Sequence, residues 1–100
     1  MRDLRHVVFH RPGPKWRTDA PMFEQDGVAE HVEHYRAWLA AGHLELGGPF
    51  LDAAAGGMMI SRAGVAEEAI RAHAMADPAV VSGLLVVEIR PWMVGMNARA

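Results

Sequence analysis

The chain has 100 residues, 51% of them hydrophobic, with a formal net charge of -2 and no cysteine. This is the size of one domain, with enough apolar material for a core, and it excludes a disulfide framework, a thiolate nucleophile and a cysteine-based zinc site. Lys15 is the only lysine and no basic cluster occurs, which argues against a nucleic-acid partner.

The amino terminus, Met1-Arg2-Asp3-Leu4-Arg5-His6, is not followed by the apolar stretch of a signal peptide. No apolar run approaches the roughly 18 residues that span a bilayer. A cytoplasmic protein with no membrane partner is expected.

In chain order, Leu4–His10 has the β-formers Val7, Val8 and Phe9 and predicts a strand. The breakers Pro12, Gly13 and Pro14 end it, and residues 11–27 read as one long loop. Val28–Ala41 predicts a helix whose apolar stripe is Val28, Val32, Tyr35 and Leu39. Asp26 is its expected N-cap and Gly42 its left-handed terminator.

A strand over His43–Phe50 contains Gly47-Gly48-Pro49. Asp52–Gly57 is a turn, Met58–Ile60 a strand, and Ser61–Gly64 another turn. Val65–Ala76 predicts a second helix, ended by Pro78. Ala79–Gly83 is a short helical turn. Leu84–Arg90 is the most β-like strand, closed by Pro91 and Trp92, and residues 93–100 form a tail.

The order strand, helix, strand, strand, helix, strand predicts an α+β fold of the ferredoxin-like βαββαβ type. Its antiparallel four-stranded sheet carries helices on one face. The chain has no spare helix for the other face, so a second copy is the simplest cover and a homodimer is expected.

Six histidines are the chemical resource of this sequence. No HExxH pattern occurs, so that zinc signature is absent. On the first helix His31 and Trp38 flank the predicted stripe and His34 lies further out, which places His31 at the border of core and solvent. On the second helix Ala66, Ala69, Ile70, His73 and Asp77 form the inward stripe. A carboxylate at Asp77 meets the negative end of that helix. Such a position suits either a turn cap or a site that exploits the charge. Gly47-Gly48-Pro49 reads as backbone geometry, because no helix follows to make it a phosphate cradle. His6, His10 and His43 fall near strand ends with no assignable role.

His31, Gly42, Gly48-Pro49, Asp77-Pro78, Gly83 and a strand ending Arg90-Pro91-Trp92 occur in an order that resembles the YciI-like (YCII-related) family. The resemblance runs from about residue 28 to residue 92 and also fits the first strand. It implies a ferredoxin-like domain that dimerises into an α+β barrel, with a site in which a histidine pairs with an aspartate. These fall on His31 and Asp77. Similar barrels house isomerases and cofactor-free oxygenases, and a related member removes chloride from a chlorinated hydroxyhydroquinone. Two positions depart from the pattern: Ala79 stands where an aromatic often follows the Asp-Pro, and His73 where an apolar residue is usual.

The expectation is a cofactor-free acid–base enzyme of lyase, isomerase or hydrolase type acting on a small cyclic or aromatic substrate. His31 moves the proton and Asp77 orients its ring. His34, Trp38, Pro49 and His73 are candidate walls of the substrate pocket. The alternatives are a non-catalytic ligand-binding dimer, and a metal site built from His31, His34 and Asp77 or His73.

Overall fold

The computed structural model describes residues 2–99. It is a small α+β protein whose four-stranded antiparallel sheet has the order β2-β3-β1-β4. The strands are β1 (Asp3–Pro12), β2 (Leu44–Pro49), β3 (Gly57–Ser61) and β4 (Leu85–Val94). The helices are α1 (Val28–Ala40), α2 (Glu67–Met75) and the short α3 (Pro78–Ser82). Among the described residues, no helix is long and apolar enough to cross a membrane.

Alternation along the strands decides what meets the helices. On β1, Val8 is fully buried and pairs with Met59 of β3 and Ile89 of β4. These residues pack with Tyr35 and Trp38 of α1 and with Ile70 and Ala74 of α2 in the main core cluster. A second cluster joins Val28, Ala79, Leu84 and Leu85, which ties the start of α1 to α3 and β4. The intervening strand residues lie on the opposite sheet face. Leu46, Val86 and Trp92 are 56%, 41% and 43% exposed there.

α1 ends in a Schellman arrangement: Gly42 has φ 84°, its N–H donates to Leu39 O, and the His43 N–H donates to Trp38 O. At its start Asp26 is not the N-cap. The chain enters through Gly27 at φ 103°, with no side-chain cap, and the Val28 N–H instead donates to the Gln25 carbonyl.

Three further expectations are corrected. Leu39 is 53% exposed, whereas Trp38, placed on the flank from sequence, is 6% exposed and part of the core. β1 continues through Arg11 and Pro12, so the following loop is shorter than residues 11–27, and a single 3-10 turn, Met22–Glu24, lies within it. β4 runs past Pro91 and Trp92 to Val94, so Met93 and Val94 belong to a strand rather than a tail. Proline is tolerated there because β4 is an edge strand, with a neighbour on one side only.

Candidate functional site

Asp77 follows α2 and opens α3. Pro78 occupies the first helical position, and Asp77 Oδ1 accepts the Ala79 N–H at 2.9 Å. The carboxylate faces the wrong end of α2 but caps the right end of the helix that follows. Its second oxygen, Oδ2, lies 2.6 Å from His31 Nδ1. Asp77 is fully buried and the His31 side chain is 13% exposed.

Burial alone would raise the Asp77 carboxyl. The hydrogen bond and charge of His31, the Ala79 N–H and the nearby His10 outweigh it and hold the group below the usual carboxylate range. An ionised Asp77 accepts a proton-bearing Nδ1 from His31, which fixes the ring tautomer and leaves Nε2 free for other chemistry.

His10 joins this pair, although its sequence position gave it no role. It sits on the helix-facing side of β1, two residues beyond Val8, and is 2% exposed. Its Nε2 lies 3.8 Å from Asp77 Oδ2 and 3.4 Å from the Tyr35 hydroxyl. Its ring meets that of His31 edge-on, with centroids 4.8 Å apart. Burial, reinforced by the neighbouring His31, pushes His10 down to about 4 against the pull of Asp77. At neutral pH it is therefore uncharged. Burial and the Asp77 charge push the Tyr35 phenol up, so it is a neutral hydrogen-bonding group.

His10, His31 and Asp77 each bring one potential ligand atom within 4.8 Å of the others. Two ligands of one tetrahedral zinc lie roughly 3.3 Å apart at ordinary bond lengths. The 2.6 Å between His31 and Asp77 is that of a direct hydrogen bond. In this arrangement His31 and Asp77 bond to each other rather than standing apart as two ligands of one zinc ion.

His10, His31 and Tyr35 line a cavity of about 400 Å³. One wall is α1, including Val32 and Leu39. The strand side and the turn between β2 and β3 contribute Gly47-Gly48-Pro49 and Gly56-Gly57, together with Met58 and Met59. Gly56 has φ 78°, and a Cβ there would collide with the His10 carbonyl oxygen, so both backbone conformation and space require glycine. The third wall, with Trp16, Met22 and Phe23, comes from the loop before α1. Gln25 braces that loop: its carboxamide accepts the Arg17 N–H at 2.9 Å and donates to Arg17 O at 2.6 Å and Ala20 O at 2.9 Å.

Of the expected wall residues, Pro49 lines the cavity, while His34, Trp38 and His73 do not. These three stack between α1 and α2. His73 lies parallel to His34 at 3.8 Å and to Trp38 at 4.5 Å between ring centroids. His34 Nε2 lies 2.6 Å from the His73 carbonyl oxygen and donates to it. The buried His73 Nε2 has no hydrogen-bond partner among the described residues. Burial first, then His34, pushes His73 down to about 4. The reason for the misplacement is geometric: the Trp38 flank of α1 faces α2 and the core, while the Leu39 side faces the cavity.

The fold and site together define a small α+β protein with a carboxylate-anchored imidazole at the edge of a half-open, mostly apolar cavity. No family model matches the chain. It is 37% identical over 70 residues to the uncharacterized protein YjpA of Bacillus subtilis (strain 168), a match that covers 70% of this chain and 80% of that protein. The chain belongs to the same family as YjpA.

Proposed function

We propose that this protein is a YciI-like acid–base catalyst acting, without a cofactor, on a small cyclic or aromatic compound. The observation that carries the reading is the 2.6 Å contact between His31 Nδ1 and the buried Asp77 Oδ2 beside the cavity. A carboxylate on one ring nitrogen stabilises the imidazolium that forms when the other takes a proton. His31 Nε2 accepts a proton from the bound compound and returns it at a second atom or to a leaving group. The neutral His10 places no second positive charge beside that imidazolium.

The test is deuterium incorporation from D₂O into a panel of enolisable ketones and hydroxylated aromatics, followed by NMR. At least one compound should exchange faster with protein than without it. His31→Ala should lower that rate by about 10²–10⁴-fold, the usual contribution of a general base. Equal rates in the variant would remove His31 from the chemistry.

A second reading, a binding module without turnover, is favoured by the largely apolar lining of the cavity. It predicts a compound that raises the melting temperature and is returned with no deuterium incorporated.

The assembly is part of the same proposal. The strand order and the helices on one sheet face support a ferredoxin-like domain. The apolar side chains on the uncovered face, among them Leu46, Val86 and Trp92, suit a second copy packed sheet to sheet. Sedimentation equilibrium should give twice the chain mass, and Val86→Glu should halve it. A wild-type mass of one chain at micromolar concentration would remove the dimer.

A further inference from the structure

Among the described residues lining the cavity, one side chain carries a permanent charge: Arg36 of α1. No acidic side chain is among them, because the Asp77 carboxylate is buried behind His31. The partner of Arg36 is Glu33, at 3.7 Å, with both side chains more than two-thirds exposed. An ion pair that long and that wet holds the guanidinium weakly, so it remains available to a ligand. The cavity thus pairs an apolar interior with one guanidinium at its rim, and no acidic side chain is among its described lining residues.

Position on the helix gives the rim a geometric meaning. Residues 28, 31, 32, 35, 36 and 39 of α1 all line the cavity. His31 and Arg36 fall on opposite flanks of that stripe at 100° per residue, and five residues place them about 7.5 Å apart along the axis. His31 is on the flank toward Asp77 and the core, Arg36 on the flank toward solvent. Between them the α1 wall is apolar, with Val32 and Leu39, and the strand side adds Gly47, Gly48, Gly57, Pro49, Met58 and Met59. A flat body about one ring across spans that interval, with one polar end at His31 and the other at Arg36.

We propose that the ligand of this cavity is an aromatic or cyclic anion. Its carboxylate or equivalent acidic group is held by Arg36, and its opposite edge, bearing the exchangeable proton, lies at His31. The inference rests on the acid–base reading for what happens at the His31 end. The charge preference at the Arg36 end stands on the cavity alone. Arg36 here determines specificity and takes no part in the proton transfer. The guanidinium fork matches a carboxylate better than a neutral amide of the same shape.

The probes are 4-hydroxybenzoate and 4-hydroxybenzamide, which differ only in that group. Their affinities are measured by NMR titration of the cavity-lining amide signals, including those of Val32 and Gly57. The wild-type protein should bind the acid about fivefold more tightly than the amide, the scale of one solvent-accessible charge pair. Arg36→Gln should abolish the preference while leaving the affinity for the amide unchanged, and Arg36→Glu should reverse it. Raising the salt concentration should shrink the wild-type preference and leave amide binding unaffected.

Equal affinity of the two probes in the wild type overturns the proposal. So does a preference that survives Arg36→Gln, or the absence of cavity shifts with either probe. The preference can stand while deuterium exchange fails, in which case the acid–base reading falls and the anion site remains. Exchange with no charge preference removes the anion site and leaves the acid–base reading standing.

Discussion

Replacing Asp77 with alanine is expected to destabilise the fold by about 3–5 kcal/mol, the usual penalty for removing one partner of a buried charged pair. Two bonds are lost at once. The Ala79 N–H loses its cap, and the His31 Nδ1–H faces a void where a carboxylate had been. Asp77→Asn separates the two roles. Asparagine caps helices as well as aspartate does, so the Ala79 bond should persist and the stability loss should stay near 1–2 kcal/mol, the scale of one weakened hydrogen bond.

The same asparagine carries no charge to support an imidazolium and can present an N–H to His31 in place of an acceptor. Deuterium exchange should fall by about 10²–10⁴-fold. Chemical denaturation of both variants, read beside the exchange assay, checks the pair. If asparagine unfolds the protein as far as alanine does, charge rather than capping holds Asp77 in place. If asparagine leaves exchange untouched, the carboxylate has no part in the proton transfer.

The second large effect is acid lability well above the carboxylate range. His10 and His73 are both pushed from an ordinary 6.5 down to about 4, chiefly by burial. Between those values the unfolded chain takes up protons that the folded chain refuses, so stability falls as pH falls. Their contribution is complete above about pH 6.5 and is lost progressively down to about pH 4. For His10, 2% exposed, the loss is roughly 3 kcal/mol at 1.36 kcal/mol per unit. For His73, which is more open to water, it is smaller. Asp77, held below its ordinary value, keeps its contribution through that window and loses it only at lower pH.

Urea unfolding at pH 7.0, 6.0 and 5.0 should show a midpoint that drops steadily. His73→Phe keeps an aromatic ring between His34 and Trp38, removes a buried nitrogen that has no partner, and should flatten the drop. It should cost little at pH 7. An unchanged slope in that variant would falsify the assignment of His73 to the acid response.

The elements of this fold are readable in chain order because strand alternation, the alanine-rich second helix and the Gly and Pro breakers are local signals. Their ends are less readable, since edge position decides whether Pro91 ends a strand, and pairing reveals edge position. On α1 the apolar residues serve two different surroundings. Val32 and Leu39 are apolar because they line a cavity, and Trp38 because it enters the core. Periodicity counts both as hydrophobic, so the expected stripe is rotated toward the open side.

His31 and Asp77 come together in the sequence only through the family resemblance. Nothing in their spacing of 46 residues brings them into contact. His10 has no role in a first strand that ends there. Continued to Pro12, the strand places His10 in step with Val8 on the helix-facing side, and that alternation is the available signal.

The carboxamide of Gln25 stitches the loop before α1 to itself through three bonds to peptide groups, none of them ionic. A neutral clasp of this kind does not respond to ionic strength or to mild acid. These three bonds in the loop wall of the cavity therefore persist across conditions that alter the charges around them. If Arg36 holds the ligand's acidic group as proposed, salt acts on binding through that guanidinium and not through this clasp.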